Sequence, residues 1–248
     1  VMALAPQHTF QILTKRAERM REWFTWAADA LPSTGPVGRL MVIGQPAVRN
    51  AGGPLESAFY SGKVALAPWP LPNVWLGVSV EDQATADERI PHLLATPAAV
   101  RWVSYEPAIG PVDLSRLYTR GSFMGAVDVV IDATRGRYAA AWDGPKTAVH
   151  DHEPPCPRLD WIVVGGESGP GARPFDLAWA RETVRKCRAA QVPVFVKQMG
   201  SRPIVVEGST DAEAWGADGA TGRMDDCGGI HLRDRAGRAR LVGHDQSD

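Results

Sequence analysis

The sequence predicts an α/β protein on a parallel sheet, wound as an incomplete (β/α) TIM-barrel-like fold of about five strand–helix units with peripheral insertions. Three observations carry that expectation. Five short apolar runs, His8–Arg16, Asn73–Asp82, Val100–Glu106, Trp161–Ser168 and Val194–Gln198, each stop on a polar or charged cluster. Four of the five are separated by helix-like or turn-rich connections, the alternation that gives a parallel sheet. The runs are continuously apolar, as in strands covered on both faces. Parallel strands all end on one rim, so Lys15, Glu81, Glu106, Glu167 and Lys197 are expected together although they lie far apart in sequence. A barrel is favoured over an open sheet because polar residues at carboxyl ends of strands mark the chemical rim of that architecture.

Each element has its own signal. Met20, Trp23, Phe24, Ala27 and Leu31 recur at helical spacing after the first run, which predicts a helix over 16–31 stopped by Pro32. Residues 32–72 are rich in Gly and Pro and read as a long insertion carrying one strand-like piece, Leu40–Ile43. After the second run, Thr85-Ala-Asp-Glu88 has the capping-box pattern and Ala86, Ile90, Leu93 and Leu94 supply an apolar stripe. Residues 115–158 form a second insertion, in which Val127–Ile131 and Tyr138–Trp142 are expected to pair across Arg135-Gly136. Leu177, Ala180, Val184 and Cys187 line one face of a further helix, with Asp176 as its N-cap. The main domain is thus residues 1–200, and 201–248, Gly-rich and charged without sustained periodicity, read as a peripheral carboxyl-terminal tail.

A chain of 248 residues with 44% hydrophobic content can bury a full core. A net charge of −1 gives no global signature of nucleic-acid binding, and a local basic patch stays open. Three widely spaced cysteines, Cys156, Cys187 and Cys227, argue against a disulfide framework and fit a reducing cytoplasm. No apolar run approaches a membrane span. The opening Val1-Met-Ala-Leu-Ala-Pro6 reads like the last turn of a helix without its start, so further strands are expected upstream.

Several ordered motifs together resemble a known family: Leu13-Thr-Lys-Arg16, Val74–Gln83, Glu106-Pro107 with Gly110-Pro-Val-Asp-Leu114, Gly165–Pro174 and Lys197-Gln198. Over about residues 1–200 the chain is similar to the uncharacterised phage gene-product-37/68 proteins. That family resembles the radical S-adenosylmethionine barrels, because its complete members begin with a strand followed by a three-cysteine motif suited to an iron–sulfur cluster. The resemblance implies that the first two strands and all three ligand cysteines lie upstream of Val1. Cys156, Cys187 and Cys227 do not replace them, since no two have the close spacing that cluster loops require. The expectation is a truncated member unable to do cluster chemistry as it stands. No cofactor is expected in this chain, with a 4Fe–4S cluster and S-adenosylmethionine belonging to full-length relatives. The alternative is a non-radical binding module for a nucleotide or phosphorylated ligand.

Two readings accompany each candidate site. Gly165, Gly166, Ser168, Gly169 and Arg173 follow an apolar strand, where backbone N–H groups form an anion nest or merely a tight turn. This is no Walker loop, since Ala172-Arg173 stands where Lys and Ser/Thr are needed. Glu81, Glu106 and Glu167 either serve a ligand, as acceptors or a general acid, or pair with Lys15, Arg16, Arg173 or Lys197 in a structural network. Lys15, Lys197, Arg16 and Arg173 suit phosphate or carboxylate groups, and Ser79 and Gln198 complete the ligand-binding set. The catalytic candidates are Glu81, Glu106, Glu167 and Lys197. His150-Asp-His152 with Cys156 lacks a fourth ligand at a usual spacing, and no metal site is expected. The Arg181, Arg185, Lys186 and Arg188 face is a candidate phosphate contact or a solvated helix back. The implied partner is a small molecule or nucleotide, with no membrane and no identified protein.

Overall fold

Strand β1 (Phe10–Thr14) ends where the backbone N–H of Arg16 donates to Thr14 Oγ1 at 2.9 Å, turning the chain into helix α1 (Ala17–Ala28). The computed structural model describes residues 2, 5–28, 44–45, 48–50, 52–53, 69–119, 129–140, 157–205, 221–224, 230–233 and 239–242. The strand-like piece Leu40–Ile43, the end of the helix expected to residue 31, and the His150–Cys156 group lie outside them. Strand β2 (Val74–Val80) leads into helix α2 (Gln83–Leu94). The cap of α2 is Asp82, earlier than the expected Thr85–Glu88 box: Asp82 Oδ1 accepts from Thr85 N at 2.9 Å, and Thr85 Oγ1 accepts from Asp82 N at 3.1 Å. Asp and Thr three apart satisfy each other's backbone at the strand end, so the helix starts there.

Strand β3 (Val100–Tyr105) is followed by β4 (Leu117–Thr119), β5 (Val129–Asp132) and β6 (Arg137–Ala140), a separate antiparallel sheet. Its β5–β6 hairpin pairs Asp132 with Arg137 across Arg135-Gly136, as expected. Gly136 has φ +66°, and Asp132 Oδ1 accepts from the N–H groups of Thr134 and Arg135 at 3.0 and 3.1 Å. Strand β4 is too short to show a period in sequence and was not expected. Strand β7 (Trp161–Gly165), the two-residue β8 (Phe175–Asp176), helix α3 (Leu177–Ala189) and β9 (Val194–Gln198) complete the main sheet and its cover. Asp176 caps α3 as expected, accepting from Ala178 N at 2.9 Å.

The main sheet has the order β1-β2-β3-β7-β9 with every pairing parallel. Register puts Phe10, Ile12, Leu76, Val78, Val80, Val103, Tyr105, Ile162, Val164, Val194 and Val196 on one face. These residues form one core with Ala17 and Met20 of α1, Ala86, Ile90, Leu93 and Leu94 of α2, and Leu177, Ala180 and Cys187 of α3. All three helices therefore cover the same face. The opposite face carries Leu13, Trp75, Gly77, Ser79, Trp102, Ser104, Val163 and Phe195.

The fold is mixed α/β on a mostly parallel five-strand sheet, and it corrects the sequence reading in one respect, the number of strand–helix units. The sheet is open, with β1 and β9 as edges, so a closed barrel is not formed among the described residues. Described helices follow only β1, β2 and β7, because the β4–β6 sheet occupies the connection from β3 to β7. Past residue 200, β10 (Pro203–Ile204) pairs in parallel with β8, and β11 (Thr221–Met224), β12 (Ile230–Arg233) and β13 (Ala239–Val242) form an antiparallel sheet. Strands of four residues carry too little periodicity to be read from the sequence.

Candidate functional site at the carboxyl rim of the sheet

Because the strands run in one direction, their polar carboxyl ends meet. Lys15, just beyond β1, places Nζ 2.6 Å from Glu81 Oε1 beyond β2. Glu81 is buried, with only 11% of its side chain exposed, whereas Lys15 is 63% exposed. Its other oxygen, Oε2, accepts from Arg89 Nη1 at 2.9 Å, and the same Nη1 lies 2.8 Å from the Ser79 carbonyl oxygen. Burial works to raise the Glu81 carboxyl, but the Lys15 hydrogen bond and the Arg89 charge outweigh it and hold the group below the usual carboxylate range. Glu81 is thus a carboxylate at neutral pH, available as an acceptor or counter-charge and not as a proton donor.

Glu106, beyond the central strand β3, reaches the other way. Its side chain passes over β7 at Gly165, where an added Cβ would stand 2.2 Å from Glu106 Oε1. Only glycine permits that crossing. Glu106 Oε1 then lies 3.4 Å from Lys197 Nζ, and Oε2 accepts from Ser104 Oγ at 3.2 Å. A register shift between β7 and β9 falls beside Lys197, since Val164 pairs with Val196 and Gly165 with Gln198. Such a bulge re-aims side chains at a sheet rim. Ser79 links the two residues, its hydroxyl lying 3.4 Å from Glu81 Oε1 and 3.2 Å from the Glu106 backbone carbonyl oxygen.

Below this rim the β3 residue two positions before Ser104 repeats the device in the opposite direction. The Trp102 ring lies over Gly77 of β2, whose added Cβ would meet it at 2.4 Å, and stacks on Trp161 with centroids 5.4 Å apart. The site therefore has a polar upper layer and an aromatic floor. On the two edge strands Leu13, level with Trp102, and Phe195, level with Ser104, are about half exposed.

The glycine loop is organised differently. Arg173 forks onto Glu167, with Nε 2.8 Å from Oε2 and Nη2 2.9 Å from Oε1, and its backbone N–H also donates to Oε2 at 2.9 Å. These bonds pull the Glu167 carboxyl down to about 2. Gly166 N donates to the Gln198 carbonyl oxygen, Gly169 N to Ser201 Oγ, and Ala172 N to the Gly169 carbonyl oxygen. Ser168 Oγ donates to Gln198 Oε1 at 2.6 Å. Four of the N–H groups that would cradle an anion therefore already have protein acceptors. Gly166 and Gly200 make the crossing of the two loops close, since an added Cβ on either meets backbone at 2.4 Å.

The structure thus brings Lys15, Ser79, Glu81, Glu106, Gly165 and Lys197 into one rim cluster. Gly166, Glu167, Ser168, Gly169, Arg173 and Gln198 form an adjoining loop network, and Arg16 is exposed at the start of α1. Arg89 and Ser104 were missed. Arg89 is legible in retrospect, since a helix that starts two residues after Glu81 carries it back over the strand end two turns later; Ser104 precedes Glu106 by the two-residue period of a strand face. On the basic helix, Arg185 is paired with Glu182 at 2.7 Å and Lys186 with Asp113 at 2.8 Å. Cys187 is buried on the α3 stripe, and burial pushes its thiol up to about 12, which does not suit a cluster ligand. Cys156 and Cys227 lie outside the described residues, among which no group of three His, Cys, Asp or Glu side chains is placed to hold a metal ion. No helix among them is long and apolar enough to cross a membrane.

No curated protein and no solved structure matches the chain. The profile of the family described as Protein of unknown function (DUF5131) matches residues 1–224, further along the chain than the motifs of the first 200 residues. The chain belongs to the DUF5131 family.

Proposed function

We propose that the carboxyl rim holds a small polar ligand, a nucleotide or other phosphorylated compound, in a fold derived from a (β/α) barrel enzyme. The observation that carries this reading is the meeting of Lys15–Glu81 with Glu106–Lys197, groups from four strands distant in sequence, above an aromatic floor. Carboxylates and serine oxygens in the centre suit ligand hydroxyl or amine donors, and lysines at the edges suit anionic groups. Strands added in chain order with helices on one face support the barrel relation, since doubly wound sheets place helices on both faces.

The relation to phage gene-product-37/68 proteins and to radical S-adenosylmethionine barrels belongs to the same proposal. In relatives with the three-cysteine motif, a cluster would supply the radical chemistry. In this chain the cysteines Cys156, Cys187 and Cys227 are too far apart in sequence to substitute. Anaerobic iron–sulfur reconstitution should give no stoichiometric cluster, and a stable four-iron cluster measured by absorbance and iron content would refute that part.

Thermal shift against a nucleotide panel tests the binding reading. A ligand at about 100 times its Kd adds about 2.7 kcal/mol, a shift of several degrees for a chain of this size. The expected result is selective stabilisation by nucleotides that Lys197→Ala and Glu106→Gln reduce. A flat response across the panel contradicts the reading.

A further inference from the structure

Arg89 is the rim charge with no part in the reading above. Its side chain is 14% exposed, and it is fixed by the Ser79 carbonyl oxygen and by Glu81 Oε2. Glu88 lies 3.8 Å away and is mostly exposed, and the Arg89 charge also acts on the Asp82 carboxylate. Glu81 is therefore shared by two cations, Arg89 inside and Lys15 outside. Glu81 gives one oxygen to each, and the member free to leave is the exposed Lys15, since Arg89 is also held by the Ser79 carbonyl oxygen. Arg16 beside it is exposed and makes no ion pair among the described residues. Elsewhere on the rim each carboxylate faces a single cation: Glu106 faces Lys197, and Glu167 faces Arg173.

We propose that Arg89 pins Glu81 and thereby releases Lys15, with Arg16 beside it, to take the anionic group of the ligand. That group then docks at the β1–β2 end of the rim, and the Gly165–Arg173 loop is a structural turn. Arg89 is a positioning residue, acting through Glu81 and Lys15. This inference rests on the reading of the rim as a nucleotide site and adds where the phosphate lies.

The test is titration of ADP and of adenosine into the whole chain, followed by tryptophan fluorescence, with folding checked by circular dichroism. Wild type should bind ADP about tenfold more tightly than adenosine, the worth of one hydrogen bond to a charged group. Lys15→Ala and Arg89→Gln should each bring the ratio near one, and Arg173→Ala should leave it unchanged. Adding Glu81→Gln to Arg89→Gln should restore the preference, because Lys15 then has no carboxylate to neutralise it. A merely structural role for Arg89 predicts no such recovery. If Arg89→Gln fails to fold, the Lys15→Ala ratio decides. Preference that survives Lys15→Ala, or is lost in Arg173→Ala instead, overturns the inference while leaving the nucleotide reading intact, as does equal binding of both ligands by wild type. Binding of neither overturns both.

Discussion

Glu81 and Glu167 both follow parallel strands of the same sheet, yet they end in opposite roles. Glu81 is buried and tied to groups from another strand and a helix, while Glu167 is closed on Arg173 six residues ahead in its own loop. The difference lies in where the nearest arginine sits. Arg89 on α2 leaves one oxygen of Glu81 facing the neighbouring strand; Arg173 takes both oxygens of Glu167. A strand-end carboxylate thus joins a cross-strand site only when its local partner leaves part of it free.

Substitutions separate the two regions. The largest effect is expected at Gly200, in the loop that closes around Glu167. Its φ is +73°, and an added Cβ would stand 2.4 Å from the Glu167 carbonyl oxygen, a backbone atom that has little room to move. Gly200→Ala should lower unfolding stability by about 3–4 kcal/mol, from left-handed strain plus overpacking, measured by urea denaturation.

Next comes Glu81→Ala, which leaves the Arg89 guanidinium buried without its counter-charge and should cost about 2–3 kcal/mol. Glu167→Ala, in an exposed pair, should leave the melting temperature unchanged. A reversal of these two outcomes would break the comparison. The sign of the pH dependence follows from the lowered Glu81 carboxyl: its contribution is full above the ordinary glutamate value and is lost as pH falls through the lower folded value. The stability gap between wild type and Glu81→Gln should therefore be constant at neutral pH and narrow in acid.

A small effect on stability is also expected at Gly165. An added methyl meets only the flexible end of Glu106, so Gly165→Ala should change stability by less than about 1 kcal/mol. It should still displace Glu106 from Lys197 and abolish nucleotide-induced thermal stabilisation. Retained stabilisation in this variant would remove Glu106 from the site.

The parallel sheet was legible because its strands are continuous apolar runs with polar ends, a signal that survives without tertiary information. The β5–β6 hairpin was legible from Arg135-Gly136, and the α3 cap from Asp176 before an apolar stripe. A helix after every strand was an extrapolation from the repeated pattern, and among the described residues the β4–β6 sheet stands between β3 and β7 instead. Partner choice was not legible at all. Nothing in the order of residues says that Glu106 crosses β7 to reach β9, because that path depends on the missing Cβ of Gly165 and on register. Nor does it say that Arg173 closes on Glu167 while Lys197 does not, which depends on loop geometry.

Isothermal titration of ADP into wild type, Lys15→Ala and Lys197→Ala tests the central claim most directly, since the two lysines stand on opposite edge strands of one rim. The account predicts that both substitutions weaken the same binding event, each several-fold, without changing its stoichiometry. Wild-type affinity in either variant would show that the two edges do not serve one site.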